Sequence, residues 1–332
     1  MNVEIIRNRQ VRKNRATALE TGGGDEDDPV VVVLAADENF ALPLSVALYS
    51  IIHQFTSGRE LHIYVFDAGL GDGTKERLER VVTRGSTDAR VTLRWIQPET
   101  SGLDVIDRDL DSRYNTSTFY RLLIPDILTE VTKVIYLDCD VVLHDDITAL
   151  WEEDLDGVPV RAVPERTVSC PVAGIAEWET LGLDPMTPFF NSGVLVMDLD
   201  LWRDREIHTR TIEYLADPAN RFVRVGDQEA LNAVLSGRWT PLDPRWNALF
   251  YFPDAVVRDA HLSHFAGAHP WLADWRHPAA PRFVESLRQN GWFSPATFSL
   301  WMLRVHAQRT LQRMRTITRP LRHRLGIRRL HG

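Results

Sequence analysis

The sequence predicts an α/β fold: an open, mixed central sheet with helices on both faces. Three observations carry this. "PVVVVLAADENF", beginning at Pro29, is an unbroken β-branched run of strand length, the pattern of a strand buried on both faces in a parallel sheet. Strand and helix signals then alternate, as a layered α/β architecture requires. Beyond "KVIYLD" the alternation loosens, which reads as a mixed second half.

Taken in order, the first strand is followed by "LPLSVALYSIIHQF", whose apolar residues recur at helical spacing. "ELHIYVFDAGL" is a second strand, "GTKERLERVVTR" a charged helix, and "RVTLRWIQ" an alternating third strand. "STFYRLLIPDIL" reads as a helix leading into the strand "KVIYLD". "VPVRAVPE" and "FFNSGVLVMDL" are further strands, and "DQEALNAVLSG" is a helix ending at a glycine. No internal repeat is present. Residues 29–297 therefore read as one domain, preceded by a flexible or extended tail (1–28) and followed by a basic amphipathic tail (298–332).

With 332 residues, 44% hydrophobic and 25% charged, the chain has the composition of a soluble globular protein. Two cysteines make no disulfide framework, no run approaches the ~18 apolar residues of a membrane span, and a cytoplasmic protein is expected. The net charge of −8 conceals an asymmetry: ten arginines and no acid lie from Arg288 onward, so without them the charge becomes −18. A body so acidic is a poor nucleic-acid binder, and none is expected as a partner. In the tail, Leu300, Leu303, Ala307, Leu311, Met314 and Ile317 share one helical side, with Arg304, Arg309, Arg313, Arg315 and Arg319 around the rest and Pro320 interrupting the helix. That pattern suits an anionic membrane surface; it also suits a helix packed on the acidic body.

Ligands of open α/β sheets sit beyond the carboxyl ends of the strands. The first such end, "AADENF", offers small Ala35 and Ala36, which let a flat ring approach, Asp37 and Asn39 to hydrogen-bond a base or ribose, and Phe40 to stack. The same residues also make an ordinary turn. A second end, "YLDCDVVL", places Asp138 and Asp140 on one face of an extended backbone, a hard oxygen pair for Mg²⁺ or Mn²⁺ or simply two strand-end acids. Cys139 between them faces away, toward the core. In the loop "HLSHFAGAHPW", His264 would add a nitrogen favouring Mn²⁺, with His261 not separable from it by spacing. Gly267 would let a phosphate approach the backbone.

In chain order "AADENF", "STFYRL", "YLDCDVVLHDDITALW", "FFNSGVLVMDLDLWR", "DQEALNAVL" and "HFAGAHPW" resemble the motifs of glycosyltransferase family 8. That family includes glycogenins and bacterial lipooligosaccharide galactosyl- and glucosyltransferases. The resemblance implies a Rossmann-like GT-A fold and a retaining transfer of galactose or glucose from a UDP-sugar to a glycan or lipid-linked cell-envelope acceptor, dependent on Mn²⁺. By the same resemblance Asp138 and Asp140 are the metal-binding D-x-D and His264 the third ligand. Ala35, Asp37, Asn39 and Phe40 form the uridine pocket, Arg121 contacts the donor, and Asn191, Asp227 and Gln228 surround the transferred sugar. Glu165 falls where some members carry an acceptor-side aspartate. His269 stands where the family often has a diphosphate-binding lysine, so its charge is conditional near neutral pH. Phe40 replaces a more frequent tyrosine and keeps the stacking face.

Overall fold

The computed structural model of the chain describes residues 3–8, 28–86, 90–106, 116–220 and 226–324. Nine-tenths of its β-structure lies in one twisted layer whose strands are β1 (Val3–Asn8), β2 (Val30–Ala36), β3 (Glu60–Asp67), β4 (Arg90–Ile96), β5 (Lys133–Leu137), β7 (Val160–Pro164), β8 (Phe190–Asp198) and β9 (Thr240–Pro241). They are arranged β1-β4-β3-β2-β5-β8-β7-β9. β1 through β5 pair parallel, β8 runs antiparallel to both β5 and β7, and β9 joins β7 parallel. The parallel half and mixed second half match the expectation. A separate antiparallel ribbon joins β6 (Val141–Leu143) to β10 (Leu262–His264).

Burial explains the run of valines. Every residue of β2 is buried, so this strand needs apolar side chains on both faces. The helix α1 (Ala41–Gln54) is buried on most sides, wedged against β6, the helix α2 (Asp72–Gly85) and the helix Ala280–Gln289. The expected helix of "STFYRLLIPDIL" is a 3₁₀ segment, Thr116–Leu123, followed by one α turn, Ile124–Ile127.

Both terminal segments carry regular structure. Within the segment expected to be a flexible or extended tail, Val3–Asn8 is the edge strand β1, in register with β4. Arg7 anchors it by donating from Nε and Nη2 to the two carboxylate oxygens of Glu79, each at 2.7 Å. The remainder of 1–28, apart from Asp28, lies outside the described residues, as does 325–332. At the other end one helix spans Pro295–Arg324 and continues past Pro320. Its first half docks on the body: Trp301 stacks on Phe293 at 5.8 Å, Val305 is buried, and the Arg309 guanidinium lies 4.3 Å from the Trp275 ring. Leu300, Leu303 and Leu311 remain outside, 62%, 66% and 54% exposed, so the docked side is not the leucine side. The side chains of Met314 and Ile317 lie outside the described residues. Among the described residues no helix is long and apolar enough to cross a membrane.

The site is positioned by topology. β2 has β3 on one side and β5 on the other, so the strand order reverses between β2 and β5, where an open α/β sheet leaves its binding crevice. Leu34 pairs with Leu137, which brings the ends of both strands, and therefore Asp37 and Asp138, to that crevice. Because β8 is antiparallel to β5, its first residues, Asn191 to Gly193, arrive at the same end; the Asp138 N–H donates to the Gly193 carbonyl at 2.8 Å.

Candidate active site

His264 is far from the two aspartates in sequence, and the β6–β10 ribbon closes the gap. His264 pairs with Val141, one residue beyond Asp140, and the Phe265 N–H donates to the Asp140 carbonyl at 2.9 Å. Leu262–His264 is thus a strand where the sequence reads as loop. Its Nε2 lies 3.3 Å from Asp140 Oδ1 and 3.7 Å from Asp138 Oδ2, and one ligand atom from each of the three residues lies within 4.8 Å of the others. His261 instead sits beside Asp145, away from this cluster. Cys139 is buried, and burial raises its thiol well above the usual range, so it stays protonated in the core.

Burial alone would lower the His264 imidazole, but Asp140 opposite it raises it; burial would raise the Asp140 carboxyl, but His264 brings it down. Two carboxylates and an imidazole so placed form a hard, mixed O/N donor set that fits a divalent cation. A second feature supports the fit. A Cβ on Gly193 would lie 2.3 Å from His264 Cε1 and 2.7 Å from Asp138 Oδ2, so only glycine leaves these side chains room to converge.

Arg121 is buried behind the aspartates. The i→i+3 winding of its 3₁₀ helix sets its Nε against the Thr118 carbonyl at 3.1 Å. Nη1 donates to the Ser192 carbonyl at 2.5 Å and Nη2 to Asp138 Oδ1 at 2.9 Å, which also accepts from the Tyr136 hydroxyl at 2.9 Å. The guanidinium lies 4.5 Å from the Tyr136 ring and 2.9 Å, through Nε, from Asp227 Oδ2. Burial works against its charge, but Asp138 and Asp227 outweigh burial and keep it ionised. Asp227 behaves differently: burial pushes its carboxyl up to about 6 despite Arg121, and Oδ2 has no aligned hydrogen-bond donor. Coulombic proximity without hydrogen-bond alignment leaves its desolvation incompletely offset.

On the other side of β8, Glu165 is buried. Its Oε1 accepts from the N–H groups of Arg166 (2.7 Å) and Thr167 (2.8 Å), the Thr167 hydroxyl (2.8 Å) and the Tyr251 hydroxyl (2.8 Å). Its Oε2 accepts from Asn191 Nδ2 at 2.9 Å and faces Gln228 Nε2 at 3.5 Å. Burial alone would raise this carboxyl; the donors hold it below its ordinary range. Gln228 Oε1 accepts from the Ser192 N–H at 3.1 Å. Asn191, Gln228 and Glu165 are thus brought together, and Asp227 sits with Arg121 one helix position away.

Ala35 is buried, and Asp37 is half-buried, accepting from the Phe40 N–H (3.1 Å) and from Asn39 Nδ2 (3.2 Å). Phe40 meets Trp271 edge-on at 6.1 Å, and Trp271 meets the His269 ring at 4.8 Å, so the candidate uridine and diphosphate residues share one aromatic wall. Buried His269 Nδ1 has no hydrogen-bond partner, and the imidazole acts electrostatically on Asp140. Gly267 has φ +69°, a conformation glycine adopts without strain, and its carbonyl accepts from Arg276.

Sequence reading missed Gly193 and Asn247. The glycine is visible in "FNSG", but its reason is a clash with residues at 138 and 264. The Asn247 side chain, fully buried, meets partners distant in sequence: its Oδ1 lies 2.8 Å from His264 Nδ1 and its Nδ2 2.8 Å from Asn191 Oδ1.

Two further histidines support the ribbon. His144 contacts Ser263 Oγ through Nε2 at 2.9 Å, and His277 contacts the Ala248 carbonyl through Nε2 (2.9 Å) while Nδ1 accepts from the Ala279 N–H (3.0 Å). Burial pushes each imidazole down to about 4. A lowered folded pKa gives stability that is complete above the ordinary value near 6.5 and is lost as pH falls toward 4, by roughly 3 kcal/mol per histidine. Asp227 opposes this, since its raised carboxyl favours the folded state as it protonates. Thermal unfolding from pH 7 to 4 should show a net fall in stability, and His277→Gln should flatten it; an unchanged slope would contradict the assignment.

Comparison with known proteins identifies the family. The profile of Glycosyl transferase family 8 matches residues 31–275. General stress protein A of Bacillus subtilis is 27% identical over 78% of this chain and 93% of its own length. The lipopolysaccharide glucosyltransferase WaaO of Escherichia coli is 23% identical over 78% of each chain. The crystal structure of the galactosyltransferase LgtC in complex with donor and acceptor sugar analogs superposes with a TM-score of 0.66 at 25% identity, covering 82% of this chain and all of LgtC. With the family profile spanning most of the chain and the GT-A fold shared, the protein belongs to glycosyltransferase family 8 and is a glycosyltransferase.

Proposed function

We propose that the protein transfers a hexose, galactose or glucose, from UDP to a glycan or lipid-linked acceptor with retention of anomeric configuration, using a divalent cation, Mn²⁺ in preference to Mg²⁺, at Asp138, Asp140 and His264. The observation that carries the reading is the convergence of those three side chains at the strand-order reversal, beside a buried, charged Arg121. Bound there, the cation would act as a Lewis acid toward the diphosphate leaving group.

The other roles belong to the chain itself. Phe40 stacks on uracil, Asp37 and Asn39 hydrogen-bond the nucleoside, and Gly267 and His269 face the diphosphate. Arg121 holds Asp138 and Asp227 and offsets negative charge. Asn191, Asp227 and Gln228 orient the hexose. The acceptor oxygen bonds to the anomeric carbon on the face from which UDP leaves; the C–O bond breaks toward the phosphate, and the acceptor proton passes to the departing phosphate oxygen. An Asp227 nucleophile is disfavoured because its side chain is 3% exposed and its carboxylate pairs with Arg121. Glu165, saturated by protein donors, supports the acceptor side by holding Asn191, Gln228 and Tyr251 rather than by offering a free carboxylate.

UDP release from UDP-glucose and UDP-galactose, each with and without Mn²⁺, tests this. Release from one donor that requires Mn²⁺ is expected; binding without release would indicate a nucleotide-sugar-binding protein without turnover, and equal release in the presence of a chelator would remove the cation from the reaction.

A cell-envelope acceptor at the cytoplasmic membrane face is the second element of the reading. The outward leucines of the C-terminal helix, with the arginine-rich sequence beyond them, favour an anionic bilayer surface, and the lipopolysaccharide glucosyltransferase relative favours a lipid-linked acceptor.

A further inference from the structure

We infer that Asn247 is a positioning residue through which Glu165 fixes the tautomer of His264, so that a carboxylate remote from the cation cluster sets which imidazole nitrogen faces it. This rests on the proposed divalent-cation role of Asp138, Asp140 and His264. A chain of hydrogen bonds joins Glu165 to His264, and its direction is fixed at each link. Glu165 Oε1 accepts the N–H groups of Arg166 and Thr167 and the hydroxyls of Thr167 and Tyr251; these donors hold the carboxyl below its ordinary range, so it is ionised and Oε2 presents lone pairs to Asn191. Asn191 must therefore turn Nδ2 toward Glu165 Oε2 (2.9 Å) and Oδ1 away from it.

A backbone group checks that orientation independently: the Gly193 N–H donates to Asn191 Oδ1 at 3.0 Å. Asn191 Oδ1 then faces Asn247 Nδ2 at 2.8 Å, which leaves Asn247 Oδ1 opposite His264 Nδ1 at 2.8 Å. A carbonyl oxygen accepts only, so Nδ1 carries the hydrogen. The nitrogen available to a cation is Nε2, the one aimed at Asp140 and Asp138.

Flipping Asn247 would set two lone-pair-bearing oxygens together at Asn191 and an N–H₂ against the imidazole. Flipping Asn191 as well would break its bonds to Gly193 and Glu165. Asn247 and His264 are 0% and 2% exposed, so water is poorly placed to replace a lost partner. Partners that orient a ligating histidine are worth about 10- to 100-fold in metal affinity. Here that partner is an amide, and the charge that orients the amide is two links further away.

The test uses the full chain with saturating UDP, with free Mn²⁺ followed by electron paramagnetic resonance. Glu165→Gln is expected to weaken Mn²⁺ binding about 10-fold, although Glu165 touches none of the three ligands. Asn247→Leu should cost more. Asn247→Asp keeps an acceptor for His264 but faces Asn191 Oδ1 with lone pairs, so it cuts the relay while preserving the tautomer. In that background Glu165→Gln should have no further effect. Should Asn247→Leu fail to fold, the comparison of Glu165→Gln in the wild-type and Asn247→Asp backgrounds carries the test alone. Mn²⁺ affinity within about twofold of wild type in Glu165→Gln, with acceptor KM alone altered, would overturn the relay; so would additive effects of Glu165→Gln and Asn247→Asp. A wild-type protein that binds no Mn²⁺ would instead overturn the functional reading on which the relay depends.

Discussion

Gly193→Ala is expected to lower turnover about 10- to 100-fold while leaving the sheet folded. The added methyl would lie 2.3 Å from His264 Cε1 and 2.9 Å from Nδ1, and 2.7 Å from Asp138 Oδ2. Neither neighbour yields easily. His264 is tied to Asn247, and Asp138 to Arg121 and Tyr136. The backbone of β8 is held by the Asp138 N–H on the Gly193 carbonyl, so retreat of the strand would break the β5–β8 junction. The methyl must therefore displace the ligands from one another, at an overpacking cost of about 1–3 kcal/mol. Turnover, circular dichroism and chemical denaturation on one preparation measure both effects. Activity within about threefold of wild type would contradict the placement of these side chains.

Arg121→Ala is expected to destabilise the protein by about 3–5 kcal/mol at pH 8, the cost of leaving buried charge without a partner. Asp227 loses the guanidinium 2.9 Å from its Oδ2, and Asp138 loses the Arg121 donor and keeps the Tyr136 hydroxyl. The deficit should shrink with acidification: Asp227 already has a carboxyl raised to about 6 beside Arg121, so without the arginine it protonates readily as pH falls, and the neutral form tolerates burial. Arg121→Lys should recover only part of the loss, because one ammonium does not reproduce a fork that reaches Ser192, Asp138, Thr118 and Asp227 together. Urea unfolding at pH 5 and pH 8 reads both; a pH-independent deficit would contradict the uncompensated-carboxylate account.

The readability of the chain follows the range of the interactions. β2 and β5 are legible because strands buried on both faces must be apolar throughout, and the paired aspartates stand out against such runs. β1 is not: "VEIIRN" is a partly exposed edge strand anchored by Arg7 on Glu79, a partner outside its own segment. β10 has three residues and exists because β6 offers it an edge. The ordered motifs locate the ligands of the candidate site, but the residues that hold them converge only through the fold. Asn247 lies in the 3₁₀ turn Pro244–Asn247, where a polar residue is unremarkable locally, and its partners come from β8 and β10. The C-terminal helix shows the opposite failure: its apolar periodicity is plain, yet its docked side uses Trp301 and Val305, and the leucines face out.

The central claim is that Asp138, Asp140 and His264 share one divalent ion at the leaving diphosphate. Anomalous diffraction at the manganese edge, from crystals grown with Mn²⁺ and UDP, tests it most directly. The expected map has one strong peak bonded to a carboxylate oxygen from each aspartate, to His264 Nε2 and to the diphosphate. A peak bound without the imidazole, or no peak among these side chains while UDP occupies the crevice, would contradict it.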